Sequence, residues 1–386
     1  MNEKKQVQPT DWQKGNIVEP IVFRATVFTG KNYVGVGDGG KVAVGDSPLT
    51  MKFVPTGLNE NQHIFAVCTG KDAGTVLGMG RDGVGISSDD HGSTWKSINI
   101  GQKPPARTDG TMPDIYGVTW TSSQYVAIWE TGGISTSPDA IKWTFNSNPV
   151  GSLRCVDFIR GQVMIGTANG YLISSSDLVN WKKVRVDAGG IRAIAYSEKH
   201  KMLVVVGHNV SISTDTAFNR WQTTYHRPAG DENVLMSAAA VGDKIYAAGD
   251  SGKCLLSSDG LTWTPGETDS MKHWLGFAQS PKYLVSVGNG GPKNNNPKYT
   301  HSVHYLSIDG NAGGGGSGPG DGGGDDGGGG DGGGGDGGGA GEPGSDVQQM
   351  LREAIKKHQE VGVLLQNALA LVTTGRDESK PARKKK

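Results

Sequence analysis

Hydrophobic positions in this chain come in short stretches, each closed by turn residues. One copy reads Arg24-Ala-Thr-Val-Phe, a Thr-Gly-Lys-Asn turn, Tyr33-Val-Gly-Val-Gly, Asp-Gly-Gly, Lys41-Val-Ala-Val, a loop, then Met51-Lys-Phe-Val. β-branched and aromatic residues bounded by Gly, Asp and Asn predict four strands joined by tight turns. The second strand recurs at Val76-Leu-Gly-Met-Gly, Tyr125-Val-Ala-Ile-Trp, Val163-Met-Ile-Gly, Met202-Leu-Val-Val-Val-Gly, Ile245-Tyr-Ala-Ala-Gly and Leu284-Val-Ser-Val-Gly, which makes seven copies. An aromatic residue keeps the same beat: Trp12, Phe53, Trp95, Trp143, Trp181, Trp221 and Trp263 stand 41, 42, 48, 38, 40 and 42 residues apart. A fixed period in this range marks one copied supersecondary unit. Seven units of about 42 residues predict an all-β, seven-bladed propeller of four-stranded sheets over residues 1–310. The Gly and Ala of the inner strands are expected to fit the crowded axis.

The ends of this pattern predict how the ring closes. The last copy supplies Trp274-Leu-Gly-Phe-Ala, Tyr283-Leu-Val-Ser-Val and Ser302-Val-His-Tyr-Leu, and glycines begin before a fourth strand. Trp12 lies 41 residues before Phe53, in register with the outer-strand aromatics. The leading segment is therefore expected to complete the seventh sheet, removing an edge that would invite aggregation.

Beyond the repeat the pattern changes twice. Residues 311–344 are almost entirely Gly and Asp. They have neither the period of three of collagen nor the apolar position of a calcium-binding nonapeptide, and predict a flexible linker. Its root-mean-square reach is on the order of 30 Å. Residues 345–375 predict an amphipathic α-helix, capped by Ser345 or Asp346, with Leu351, Ile355, Val361, Leu365 and Leu369 on one stripe. That stripe is too small for a core of its own. It is expected to anchor on a partner or to self-associate through a short coiled coil. Residues 376–386 form a basic tail.

Composition narrows the function classes. The 38 basic and 38 acidic residues cancel, so nothing draws the whole chain to nucleic acid or to an anionic membrane. No apolar run reaches the length of a membrane span, and the charged start lacks the apolar stretch of a secretory signal. Cys68, Cys155 and Cys254 show no paired spacing and read as buried thilols of strands made in a reducing cytoplasm. The histidines show no metal-ligand spacing, and Gly35-Val-Gly37-Asp-Gly39-Gly40 is a hairpin without the following Lys-Ser/Thr of a phosphate loop. Neither a metal nor a cofactor is expected.

The loop before each outer strand carries a second signature. It reads Ser87-Ser-Asp89-Asp-His-Gly-Ser-Thr-Trp95, Ser174-Ser-Ser-Asp177-Leu-Val-Asn-Trp181, Ser213-Thr-Asp215-Thr-Ala-Phe-Asn-Arg-Trp221 and Ser257-Ser-Asp259-Gly-Leu-Thr-Trp263, with a weaker form ending at Trp143. These loops resemble the Asp-box, or BNR repeat, of a propeller superfamily that includes sialidases, sortilin-type receptors, the photosystem II assembly factor group and predicted phage tail proteins. The resemblance covers residues 12 to 310 and implies a structural role: the Asp closes its own turn and the Trp packs into the sheet.

Aligned innermost strands place Arg24, Arg154 and Arg192 at equivalent first positions. Three guanidiniums at one mouth of a channel would form an anion site. The context Phe23-Arg24-Ala-Thr is similar to the Phe/Tyr-Arg-Ile-Pro motif of sialidases, whose arginine triad grips a sugar carboxylate, but the Ile-Pro half is missing. The tyrosine, glutamate and aspartate of a sialidase mechanism have no evident counterparts, so no catalytic residue is assigned. Beside the ligand-binding reading stands a structural one, in which these arginines stack between blades or pair with carboxylates such as Asp157. Loops between blades add Arg107, Asp109, His226, Arg227 and Asp231 as candidate binding-face residues.

A binding head, a tether and a docking helix suit a non-catalytic display protein. The expectation drawn is a phage virion component, synthesised in the host cytoplasm, anchored to the particle by its helix and contacting a host surface glycan or protein through its propeller. Two alternatives are an intracellular assembly factor, holding a partner protein on the arginine-bearing face, and a sialidase-like glycosidase.

Overall fold

The computed structural model describes residues 11–308, except 19–20, 73, 148–150, 187, 268–272 and 291–300. The expected linker, helix and tail lie outside the described residues, as does the anchoring stripe from Leu351 to Leu369. The described strands form seven four-stranded antiparallel sheets. Blade 1 is built in chain order from Phe23–Phe28, Tyr33–Gly37, Val42–Gly45 and Lys52–Val54, from the axis outward. The innermost strands of the other blades are Ile64–Thr69, Ile115–Trp120, Leu153–Ile159, Ala193–Ser197, Leu235–Val241 and His273–Gln279. Each packs on the next, and the last returns to the first, so the sheets encircle one axis.

Strand alternation explains why the ring coheres. Side chains of successive residues point to opposite faces of a sheet, and both faces of every blade meet a neighbour. The buried apolar residues fall into seven clusters, one for each junction between adjacent blades. In blade 1, Val34, Val36, Val42 and Val44 face Ile64, Val67, Val76 and Ile86 of blade 2. The intervening Tyr33 and Ala43, with Phe23 and Met51, face Val285, Val287 and Val303 of blade 7.

The seventh blade closes as the sequence predicts. Gln13–Lys14 pairs antiparallel with Val303–Ser307, Gln13 opposite Tyr305 and Lys14 opposite His304, and supplies the fourth strand. Backbone bonds from Gly15 N to Val303 O (2.8 Å) and from Ser302 N to Ile17 O (3.1 Å) extend the seam. One detail of register differs. Trp12, Trp95, Trp143, Trp181, Trp221 and Trp263 each stand immediately before an outer strand, and in blade 1 that place belongs to Met51. Phe53 lies two residues further on, inside the strand, stacked over Phe23 at 6.1 Å.

The glycines ending the second strands also have a role different from the expected one. They do not relieve crowding at the axis. They admit the backbone that enters the same blade's innermost strand. A Cβ on Gly37, Gly80 or Gly249 would lie 2.1, 2.0 or 2.0 Å from the carbonyl oxygen of Val22, His63 or Val234. The residue after each glycine donates its N–H to that same oxygen: Asp38 to Val22, Arg81 to His63 and Asp250 to Val234, at 2.9, 2.9 and 3.0 Å. These clamps hold the strand entries that form one mouth of the channel. Gly249→Ala is expected to cost about 1–3 kcal/mol, because the contact is with backbone that cannot rotate away. A melting temperature equal to that of the parent would refute the clamp.

The loops before the outer strands are closed by their own aspartates. Ser137, Ser175 and Ser257 donate to Asp139, Asp177 and Asp259 at 3.1, 3.0 and 3.1 Å. Asp177 then accepts the N–H groups of Val179 and Asn180, and Asp259 those of Leu261 and Thr262. Asp215 accepts from Ala217 and Asn219. In blade 2 the closing carboxylate is Asp90 rather than Asp89. Asp90 takes Ser88 Oγ at 2.8 Å and Thr94 N at 2.8 Å, whereas Asp89 pairs with Lys96. The indole N–H groups of Trp95, Trp143, Trp181 and Trp221 donate to the carbonyls of Gly92, Ala140, Leu178 and Phe218, and that of Trp263 donates to Thr224 Oγ1. Among the described residues no three acidic, His or Cys side chains converge as a metal site would require.

Candidate functional site at the channel mouth

The innermost strands share a device that the sequence does not announce. In six blades the pairing of first and second strands shifts by one residue at the entry, between Phe23 and Ala25, Ile64 and Ala66, Ile115 and Gly117, Leu153 and Cys155, Leu235 and Ser237, and Trp274 and Gly276. The extra residues are Arg24, Phe65, Tyr116, Arg154, Met236 and Leu275. In blade 5, Arg192 takes this place just before Ala193, donating its N–H to Val206 O at 2.8 Å. A bulge turns its residue out of the ladder and re-aims the side chain. All seven side chains line one cavity of about 460 Å³ on the axis.

Read around the ring, the mouth is Arg24, Phe65, Tyr116, Arg154, Arg192, Met236 and Leu275. Arg24 lies over the Phe65 ring at 5.7 Å, Phe65 meets Tyr116 at 5.9 Å, and Arg154 lies over Tyr116 at 5.2 Å. Two guanidiniums thus bracket an aromatic pair, each against the negative face of a ring. Met236 and Leu275 make the opposite side apolar.

The three arginines are not equivalent. Arg24 is the most exposed and is neutralised: its Nε and Nη2 donate to Asp38 at 2.9 and 2.8 Å in a bidentate pair. Arg154 and Arg192 have no carboxylate within ion-pair range among the described residues. Asp157 is not a partner for either: it forms no ion pair among the described residues, and its Oδ1 accepts the N–H of Phe158. Arg154 Nε is buried and unpartnered. Burial, then the neighbouring Arg154, push Arg192 below the ordinary arginine range, while Asp250 acts in the opposite sense. Burial, then Arg227 and Arg192, likewise depress His208. The acid that acts on Arg192, Asp250, is engaged by His273 Nδ1 at 2.7 Å and by Val234 N at 3.1 Å. Among the described residues, the guanidiniums of blades 4 and 5 at the mouth are therefore not paired with any carboxylate.

The loop residues singled out by sequence divide by their partners. Arg107 is a clamp: it donates to Glu130 through Nε at 2.7 Å, to Thr111 Oγ1 at 3.0 Å and to the carbonyl of Met112. Asp109 closes its own turn on Thr111, with bonds of 2.9 and 2.7 Å. Asp231 accepts from Asn233 N and pairs with Lys253. His226 is exposed, and Arg227, half-buried, adds its charge to the Arg192 side of the face. Phe65 and Tyr116 were missed by the sequence reading. Counting outward from the arginines to the same position in every copy would have found them.

Fold and mouth together define a seven-bladed β-propeller whose channel opens through a cationic and aromatic rim. Neither a protein-family model nor a curated protein matches the sequence. Among solved structures the chain is similar to YCF48 bound to a D1 peptide, with 13% identity and a TM-score of 0.59 over 78% of this chain and 98% of that one. It is similar to YCF48 from Cyanidioschyzon merolae, with 14% identity and a TM-score of 0.58 over 76% and 98% of the two chains. The WD40 repeats of RRP9 match with 10% identity and a TM-score of 0.59 over 77% and 99%. At these identities the likeness is one of fold.

Proposed function

We propose that the protein is a non-catalytic binding propeller that holds an anionic segment of a partner protein at the channel mouth. One observation carries the reading: Arg154 and Arg192 sit side by side in the cavity wall without a carboxylate for either. Charge left unpaired inside a concave, partly apolar site is stabilised by a ligand of opposite sign. Phe65 and Tyr116 offer flat apolar surface beside it, the combination found where proteins anchor proteins. The structure of YCF48 with a D1 peptide supports a protein ligand for this fold. A sialidase mechanism needs a tyrosine nucleophile with a glutamate and a separate acid aspartate, and the described cavity wall holds a single carboxylate, Asp157.

The test is fluorescence anisotropy with a labelled, Glu-rich peptide bearing a free C-terminal carboxylate. Replacing both Arg154 and Arg192 by Ala is expected to weaken binding on the order of 10- to 100-fold, from the loss of charge-assisted hydrogen bonds. Arg24→Ala is expected to do less, since Asp38 already occupies that guanidinium. Equal binding by the parent and the double variant would end the proposal.

A second reading concerns attachment. The Gly/Asp composition of residues 311–344 and the apolar stripe of 345–375 support a propeller tethered to a larger assembly, such as a virion made in the host cytoplasm and meeting a host glycan or protein. Purified particles lacking the chain would remove it.

A further inference from the structure

Below the rim the channel wall is nearly free of charge. Three residues on from each mouth residue, the innermost strands carry Val27, Cys68, Thr119, Asp157, Ala195, Ala239 and Ala278, and of these only Asp157 lines the cavity. Six of the seven are small or uncharged, and the fold is satisfied by them. Asp157 is the exception. It lines the cavity, surrounded by protein yet reachable from the lumen. Its one hydrogen bond among the described residues, from Phe158 N at 2.7 Å, leaves the other carboxylate oxygen open there. No arginine, lysine or histidine engages it among the described residues. A lone acid thus lines the same cavity as Arg154, on its own strand, and Arg192, on the next blade.

We propose that the channel is a two-charge socket, in which the Arg154–Arg192 side of the rim takes a carboxylate and Asp157 takes an ammonium of the same ligand. This rests on the reading of the rim as an anion site. Three residues of strand place the Cα atoms of Arg154 and Asp157 roughly 10 Å apart. Arg154, Arg192 and Asp157 line the same cavity, so a single ligand carrying a carboxylate and an ammonium on a short apolar stem can meet both kinds of charge. A C-terminal lysine has that form, its α-carboxylate and ε-ammonium joined by an apolar stem. The stem would lie along Cys155, Val156 and Ala193 of the same wall. A cavity of about 460 Å³ accommodates one such side chain with part of its backbone. Arg24 cannot substitute in this role, because Asp38 holds it.

Isothermal titration of the full chain with three acetylated peptides tests the socket: Gly-Gly-Gly-Lys as the free acid, the same peptide as its amide, and Gly-Gly-Gly-norleucine as the free acid. The lysine acid is expected to bind at least about tenfold more tightly than either of the others, the scale of one charged contact. Asp157→Asn is expected to bring the lysine acid down to the norleucine level and to leave norleucine affinity unchanged. The ratio in the parent protein needs no variant, so a poorly folding Asp157→Asn would leave the test intact. Equal affinities for the lysine and norleucine acids, or no binding of the lysine acid at millimolar concentration, overturn the socket. If those two acids bind equally and the arginine double variant loses both, the anion rim stands and only the ammonium site falls. If the amide binds as well as the acid, the rim itself has been misread.

Discussion

Trp12→Ala is expected to lower stability by about 3–5 kcal/mol, the range for removing a large aromatic from a packed core. Trp12 is 8% exposed and lies among Tyr246 of blade 6 and Trp274 and Phe277 of blade 7, at ring separations of 6.0, 4.7 and 5.8 Å. Its loss therefore opens the junction between these blades and loosens the Gln13–Lys14 strand beside it. That strand is only two residues long, and the remaining hold on the segment comes from the bonds of Gly15, Asn16 and Ile17 just beyond it. Freeing it would expose the Val303–Ser307 edge to other chains. The expected result is a melting temperature lower by on the order of 10 °C, with aggregation on heating. Trp12→Phe should recover most of the loss, because the ring supplies the packing and the indole N–H meets only the weakly accepting Cys254 thiol among the described residues. A Trp12→Ala protein that melts within about 2 °C of its parent would show that the ring is closed by other means.

What the sequence exposes is what repeats. Seven second strands and the evenly spaced tryptophans reveal blade number and closure, because each copy must bury the same faces against the next. The register was less legible where a copy departs from the others: Met51, with no aromatic ring, fills the place that Trp12 and Trp95 hold elsewhere, and Phe53 stood in for it. Asp89 and Asp90 are adjacent and chemically identical, and only the path of the turn decides that Asp90 takes the N–H of Thr94. The equivalence of Arg24, Arg154 and Arg192 could be read by alignment. Their inequality could not, since it depends on Asp38, which arrives from the end of the next strand to neutralise Arg24 alone. Arg107 looked like a binding residue for the same reason: its partner Glu130 is 23 positions away.

The second large effect concerns Asp157. Burial in the channel wall raises its carboxyl to about 6, and the N–H of Phe158 only partly opposes that rise. A carboxyl whose folded value lies above its unfolded value weakens the fold when ionised. Both states are protonated well below pH 4, so the cost is then absent. It grows as pH rises from about 4 and is complete above about 6. A shift from 3.8 to about 6 corresponds to about 3 kcal/mol at neutral pH. Asp157→Asn keeps the shape and removes the charge. It is expected to stabilise the protein by about 2–3 kcal/mol at pH 7.5 and by little at pH 4, as measured by urea denaturation at the two values. The rim arginines do not offset this cost, since they sit at the mouth and neither pairs with Asp157. A variant equally stable with its parent at both pH values would mean that Asp157 already has a counter-charge in the free protein. The unpaired acid in the channel would then be lost as a feature of the molecule, and the ammonium half of the socket with it.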